Sequence, residues 1–364
     1  MFYPEGMKLT AQVKLISSIE QTQALKETLQ VANAACNHIS AYAWEKKVFG
    51  QYSLHKATYH DTRSRFDLSA QVVVRCLSKV ADAYKLDKKA MRQFKKNSAI
   101  SYDDRILRWY LDKGEVSIWT VAGRQRIPFV CGDRQRKLLA SQQGESDLVL
   151  MGGQFYLLAT CNAIDPTPRE TKDFLGVDFG ISNLAVDSEG EKFSGSQVKG
   201  LRHRHAELRA KLQSKGTKSA KRLLKKRRRK ESRFARDVNH CISKKLVAKA
   251  QGTGRGIALE NLKDIRERLV VRKAQIRIQH SWSFNQLRFF VEYKAKLAGV
   301  QVVLVNPRNT SRTCPSCGHC DKANRPTRDL FRCVHCNLSG CADTIAAVNI
   351  GRAAVNRPYA EAAG

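Results

Sequence analysis

The chain holds no run of about 18 apolar residues, the length a membrane-spanning helix needs, and its opening stretch, MFYPEGMKLT, has no leader-peptide pattern. No segment recurs at a fixed period. Acidic residues are scarce: 33 stand against 65 lysines and arginines, for a formal net charge of +32. A compact fold gains nothing from such self-repulsion, so a polyanionic partner is expected. Membrane surfaces are polyanions too, but without an apolar run or a leader the expectation turns to nucleic acid. A disulfide framework is also missing. Four of the 11 cysteines share one tight pattern, whereas Cys36, Cys76, Cys131, Cys161 and Cys241 are scattered in mostly apolar surroundings. Buried free thiols in a reducing, cytosolic compartment account for that distribution.

At 364 residues, 42% of them hydrophobic, the chain is long enough for two domains and a small insert. KLTAQVKL (8–15) alternates polar and apolar residues, as a half-buried strand does. From about 21 to 95 the apolar residues recur at helical spacing. GEVSIWTV and RIPFV are strand-like, and DLVLMGGQFYLLAT has the form of a hairpin turning at Gly152-Gly153. The N-terminal part is therefore expected to be a small mixed sheet with helices inserted between its strands. A linker containing Asp165, Pro166 and Pro168 closes it. A second domain starts near Thr171. FLGVDFG is a strand, ISNLAVDSEGEKFSG a meander, 197–249 a basic helical stretch, and RGIALENL another strand. SWSFNQLRFFVEYKAKLAG is an amphipathic helix ended by Gly299, and VQVVLVNP a strand stopped by Pro307. After a cysteine-rich module, DTIAAVNIGRAAV closes the chain as a helix. That order predicts an α/β layered sheet.

Three carboxylates stand out by position. Asp178 ends one apolar strand, Glu260 ends another, and Asp343 opens the last helix. Carboxylates so placed can converge at one edge of a sheet. Alone, each could be a turn residue or a helix cap. Together, in a chain this basic, they point to a divalent-metal site. Their hard oxygens suit Mg²⁺, and two such ions roughly 3.5–4 Å apart would activate water and stabilise the leaving oxygen in phosphodiester hydrolysis. The nearby Asp187, Asp264 and Asp329 are expected to be solvated.

Cys314-Pro-Ser-Cys317 and Cys333-Val-His-Cys336 form two C-x₂-C knuckles with zinc-ribbon spacing. The segment between them is too polar to fold around a core of its own, so metal would supply its stability. Four thiolates leave no open coordination position, which makes the zinc structural. His319, Cys320, His335 and Cys341 lie outside the paired spacing. The stretch KSAKRLLKKRRRKESRFARD (218–237) offers Lys221, Arg222, Lys225, Lys226, Arg227, Arg228, Arg229 and Lys230 to a nucleic-acid backbone, with Leu223, Leu224 and Phe234 as apolar anchors. Such contacts carry affinity without sequence information. Trp44, Tyr52, Tyr59, Trp109 and Trp119 suggest core or interface residues rather than base-stacking platforms.

FLGVDFGISNLAVDSEG, then GIALENL, then W-S-F-x₂-L and YKAKLAGVQVVLVNPRNTSRTCPSCG, then FRCVHC and ADTIAAVNI occur in that order. Over about 174–350 the chain resembles the TnpB proteins, transposon-encoded nucleases related to the effectors of type V CRISPR systems. The resemblance implies an RNase-H-like (RuvC) nuclease domain over 171–309 and 337–364, with the zinc ribbon inserted at 310–336. It also implies a β-barrel-like wedge domain over 1–170 with a helical recognition insert at about 18–100. Asp178, Glu260 and Asp343 would be catalytic and would hold two Mg²⁺ (or Mn²⁺), with one Zn²⁺ on the four cysteines. The partners implied are a guide RNA from the transposon end and target double-stranded DNA cut beside a short motif, in a prokaryotic cytoplasm at the nucleoid. Where the family reads D-x-D-x-N-A-A, this chain has Cys341 for the first acid and Ile345 for the asparagine. Tyr52, Ser53, Gln71 and Arg75 are expected to approach the short motif. Monomer and dimer on one RNA both stay open. Alternatives to guided cleavage are a guided repressor, a transposase joining strands, and an unguided RNase-H-type hydrolase. The three retained carboxylates favour cleavage over the repressor, and the large basic N-terminal lobe disfavours the hydrolase.

Overall fold

The computed structural model describes residues 7–163, 166–227, 230–261 and 284–356. The chain divides into two compact units, Met1–Ile164 and Asp165–Gly364. In the first, β1 (Lys8–Leu15) leads into the helices α1 (Ile19–Lys46), α2 (Gln51–Phe66) and α3 (Ala70–Leu86). There follow β2 (Ile100–Tyr102), β3 (Leu107–Tyr110), β4 (Glu115–Thr120), β5 (Gly123–Val130), α4 (Asp133–Leu139), β6 (Gln142–Met151) and β7 (Gln154–Asn162). Ser18 begins α1 with a capping box. Its hydroxyl accepts from the Gln21 amide, while its own amide donates to the Gln21 side chain. Gly152 and Gly153, at φ of 60° and 82°, turn the β6–β7 hairpin with the left-handed backbone that a two-residue loop requires.

The strands run in the order β2-β6-β7-β1-β5-β4-β3. The expected mixed sheet is corrected here, because every pairing is antiparallel. Tight turns join β3 to β4, β4 to β5 and β6 to β7, and such turns can link only antiparallel neighbours. The two edge strands, β2 and β3, are themselves joined by only residues 103–106, which draws the ends of the sheet together into a near-barrel. Across that seam the Tyr102 hydroxyl donates to the Trp119 carbonyl at 3.1 Å. Alternate residues of the strands (Val13 and Leu15, Ile118, Ile127, Leu157) pack with Leu25 and Leu29 of α1 and Leu77 and Val80 of α3 in one core.

The second unit opens with β8 (Phe174–Asp178), β9 (Asn183–Asp187) and β10 (Lys192–Ser194). Three basic helices follow: α5 (Ser196–Lys215), α6 (Lys218–Arg227) and α7 (Lys230–Gly252). Then come β11 (Gly256–Glu260), α8 (Phe284–Leu297), β12 (Val302–Val305), the short pair β13 (Leu330–Arg332) and β14 (Ser339–Cys341), and α9 (Ala342–Asn356). Its main sheet has the order β10-β9-β8-β11-β12, antiparallel across the first three strands and parallel across β8, β11 and β12. β8 and β11 are buried on both faces, which explains their unbroken apolar sequence. Leu175, Val177, Ile257 and Leu259 pack on one face with Leu246 of α7 and Leu287 and Val291 of α8. Phe174, Ala258 and Val305 pack on the other with Ile350 and Ala354 of α9.

Candidate active site and metal centre

Strand alternation decides where the carboxylates point. Residues two apart share a face, so Asp178 lies on the side of Phe174 and Gly176, and Glu260 on the side of Ala258. That is the face covered by α9. The parallel register pairs Leu259 with Val177, so Asp178 and Glu260 follow at neighbouring strand ends, about 4.8 Å apart in backbone spacing. Gly176 brings in the third. A Cβ there would meet the Ala347 carbonyl oxygen at 1.9 Å and the Gly351 nitrogen at 2.5 Å, so α9 rests directly on the strand backbone. From that contact Asp178 is two residues along the strand, about 6.6 Å, and Asp343 is four back along the helix, about 6 Å. The two carboxylates reach the same end of the sheet.

Electrostatics agree. Burial, then repulsion from Glu260 and Asp343, pushes the Asp178 carboxyl up to about 7, against a smaller opposing pull from Arg325. Burial also raises the Glu260 carboxyl, partly offset by a hydrogen bond from the Thr310 hydroxyl at 2.6 Å. Asp343 accepts from the Asn183 amide at 2.9 Å, and the Arg325 guanidinium lies 3.7 Å from its other oxygen. Among the described residues none hydrogen-bonds the Asp178 carboxylate. The trio does not place one oxygen each within 4.8 Å of the other two. This is a set of hard oxygen donors with unbalanced negative charge, the donor chemistry that suits divalent cations such as Mg²⁺.

Cys314, Cys317, Cys333 and Cys336 do bring their sulfurs within 4.8 Å of one another. Cys314–Cys336 and Cys317–Cys333 are 3.5 and 3.6 Å apart. A tetrahedron with Zn–S bonds of about 2.3 Å has edges of about 3.8 Å, so the set fits one tetrahedral ion and is far from disulfide contact. His319, Cys320, His335 and Cys341 stay outside it. The module is less polar than expected. Cys314, Phe331, Cys333 and Ala342 form a small buried cluster against which Leu338 and Ile345 pack. Ile345 is thus part of the apolar seam between α9 and the module. β14 pairs with β13, so the paired segment runs past 336 to Cys341.

Several residues escaped the sequence reading. Thr310 holds Glu260, and Asn349 of α9 donates to the Thr310 and Thr313 carbonyls at 2.8 and 2.7 Å, tying that loop to the helix. Arg325 comes from the polar segment between the knuckles, and the neighbouring Arg328 donates to the Ser182 hydroxyl. Their only signal was the cationic RPTRD inside a supposedly inert spacer.

Other expectations need correction. Asp187 is fully buried rather than solvated. It accepts from the Glu189 and Glu191 amides at the β9–β10 turn and pairs with Lys249, which also reaches Glu189 at 2.8 Å. The bond set compensates the buried charge and pins α7 to the hairpin. Asp329 is exposed as expected, while Asp264 lies outside the described residues. Leu223 is 39% exposed and anchors nothing, whereas Leu224 lines a cavity with Leu208 and Leu212. Cys241 is exposed; Cys36, Cys76 and Cys161 are buried. Lys221, Arg222, Lys225, Lys226 and Lys230 face solvent and Arg227 is half-buried; Arg228 and Arg229 lie outside the described residues. Gln71 and Arg75 are spent on Asp103 and Glu145, leaving Tyr52 and Ser53 exposed.

Residues 158–266 match the family described as a probable transposase, and residues 284–350 match the Cas12f1-like TNB domain. The TnpB-like protein of Methanocaldococcus jannaschii is 31% identical over 195 residues, which cover 50% of this chain and 69% of that protein. The chain belongs to the TnpB family. It is related to the effectors of type V CRISPR systems: the endodeoxyribonuclease Cas12f2 of a Micrarchaeota archaeon is 32% identical over 228 residues, 56% of this chain and 41% of that one. This TnpB-family chain spans less than half the length of the Cas12f relatives it matches. Its fold is also similar to the mini-RNA-guided endonuclease CRISPR-Cas phi3, with a TM-score of 0.57 at 11% identity, covering 96% of this chain and 93% of the other.

Proposed function

We propose that this TnpB-family protein is an RNA-guided DNA endonuclease with an RNase-H-like (RuvC) nuclease site. The observation that carries this reading is Asp178. It is a carboxyl pushed up to about 7 by burial and by two further carboxylates at one sheet edge, without a hydrogen bond among the described residues to relieve it. Such a cluster is costly without divalent cations. Asp178, Glu260 and Asp343 would hold two Mg²⁺ ions. When bound, the ions would lower the pKa of an attacking water and neutralise the leaving oxygen of a phosphodiester. Thr310 and Asn183 orient Glu260 and Asp343, each through one hydrogen bond to a carboxylate oxygen. Arg325 is in place to meet a phosphate oxygen at the same edge. Zn²⁺ on the four cysteines would be structural, fixing the module that carries Arg325.

The first unit would serve as wedge and recognition lobe, holding a guide RNA from the transposon end. Residues 171–309 and 337–364 would be the nuclease domain, with the ribbon inserted at 310–336. Target double-stranded DNA beside a short motif would be the substrate, and the exposed lysines and arginines of α6 would meet its backbone or the guide's. Among the described residues no helix is long and apolar enough to cross a membrane. A guided repressor or strand transfer is the alternative function. Sequencing the RNA that co-purifies with the chain tests the guided reading. One discrete species from the flank of its own gene is expected, and a random sample of host RNA would contradict it.

A further inference from the structure

In the first unit, the outer face of β3, β4 and β5 gathers cations that have no carboxylate partner. Leu107, Val116, Ile118 and Ile127 point into the core. Strand alternation therefore turns Arg108 and Tyr110 of β3, Ser117 of β4, and Arg124 and Arg126 of β5 outward. The register sets Arg108, Ser117 and Arg126 side by side across the three strands. The three arginines are exposed, and among the described residues none of them makes an ion pair. Glu115 stands in the next row, between Tyr110 and Pro128, and it pairs with no cation among the described residues either.

These side chains are fixed in place. The Arg126 guanidinium lies 4.8 Å from the centre of the Tyr110 ring, and the Arg108 guanidinium 5.7 Å from it. An aromatic ring attracts cations to its face, so one tyrosine gathers both arginines. Arg124 donates to the Ser117 hydroxyl at 3.3 Å and to the Arg105 carbonyl at 2.6 Å. Beneath the pair, the Gln21 side chain of the α1 capping box donates to the Arg126 carbonyl at 2.9 Å. Among the described residues the Arg108 and Arg126 guanidiniums donate no hydrogen bond, so their forks of N–H groups stay available. Like charges gathered this closely repel one another, and an anion laid among them relieves the repulsion. A guanidinium fork fits two oxygens of one phosphate. The ring between the arginines is engaged with cations, so the face suits a nucleic-acid backbone rather than a stacked base.

We propose that this face grips the phosphate backbone of the guide RNA, with Arg108 and Arg126 as paired phosphate forks set by Tyr110. Side chains already fixed before binding lose little freedom when the ligand arrives, which suits a partner that is held from one target to the next. The guide is that partner, whereas target DNA is exchanged. The proposal rests on the RNA-guided reading of the whole chain and adds to it the surface that carries the RNA.

The test treats the full chain with phenylglyoxal, which modifies accessible guanidiniums, and reads Arg108 and Arg126 by mass spectrometry. Three samples are compared: the chain stripped of RNA, the chain carrying the RNA that co-purifies with it, and that complex with plasmid DNA. Both arginines should react in the stripped chain and lose their reactivity once the RNA is bound. Tyr110→Leu should weaken RNA binding about fivefold although the net charge is unchanged. Arg108→Gln with Arg126→Gln should flatten the dependence of log affinity on log salt by about one. Reactivity that is the same with and without RNA would overturn the site. Protection that appears only with plasmid DNA would overturn the assignment to RNA, and so would polyglutamate protecting the stripped chain as well as RNA does. A chain that retains and binds no RNA would overturn the guided reading itself, and this proposal with it.

Discussion

The second unit holds two clusters of metal-ligand chemistry built on opposite principles. The four cysteines come from two short knuckles within 23 residues of sequence, and their sulfurs already lie at tetrahedral spacing. The three carboxylates come from positions 178, 260 and 343, meet only because a parallel register and a helix-on-strand contact bring them together, and stay more than a single-ion cage apart. One set leaves no open position on a tetrahedral ion. The other gathers carboxylates whose burial and like charge push the Asp178 carboxyl up to about 7. The contrast is the one the proposed function needs between a structural and a catalytic metal site.

The largest effect expected from breaking this contrast is on the open site. Asp178→Ala should lower target cleavage about a thousandfold or more, since the ions supply several kcal/mol of charge stabilisation. RNA and DNA binding should persist. Plasmid cleavage beside filter binding checks this, and undiminished cleavage would remove the site. Gly176→Ala attacks the contact that assembles it. The added methyl has no room against the Ala347 carbonyl, so the second unit should lose about 3 kcal/mol or more. An unchanged melting curve would contradict that packing.

At the closed site, Cys314→Ser should abolish zinc binding and lower the melting temperature. Elemental analysis decides it, and undiminished zinc content would refute the ribbon. Cleavage should fall as well, because Arg325 is held by the same module.

The smallest effect is the pH dependence of the metal-free fold. An unfolded aspartate titrates near 3.9, whereas folded Asp178 is pushed up to about 7. Between those values the folded chain keeps a proton that the unfolded chain has released. Stability contributed by this group therefore falls as pH rises through the window. In chelator, Asp178→Asn should gain stability over the wild type at pH 8 and lose that advantage near pH 4. Parallel melting profiles of the two proteins across this range would contradict it.

Much of this was legible in the sequence because the decisive signals are local. Alternation in 8–15, Gly152-Gly153 between apolar runs, and the C-x₂-C spacing each depend on a few adjacent residues, and each appears as expected. The carboxylates could be singled out by their places at strand ends and a helix start. What brings them together is Gly176, whose role is a clearance against Ala347 that no short pattern encodes. Asp187 was misjudged for the same reason. A turn aspartate is usually solvated, and here the distant Lys249 joins two turn amides in compensating the buried charge. Arg325 and Thr310 were hidden inside a segment whose polarity looked like mere linker chemistry, and the all-antiparallel near-barrel depends on the four-residue closure between β2 and β3.

The central claim is that Asp178, Glu260 and Asp343 together bind divalent cations, and Mn²⁺ binding followed by electron paramagnetic resonance tests it most directly. Titrated into the zinc-loaded full chain, Mn²⁺ should show bound signal in the wild type that weakens below pH 7 and is lost in Asp178→Asn. Equal Mn²⁺ binding by the wild type and that variant would contradict the account.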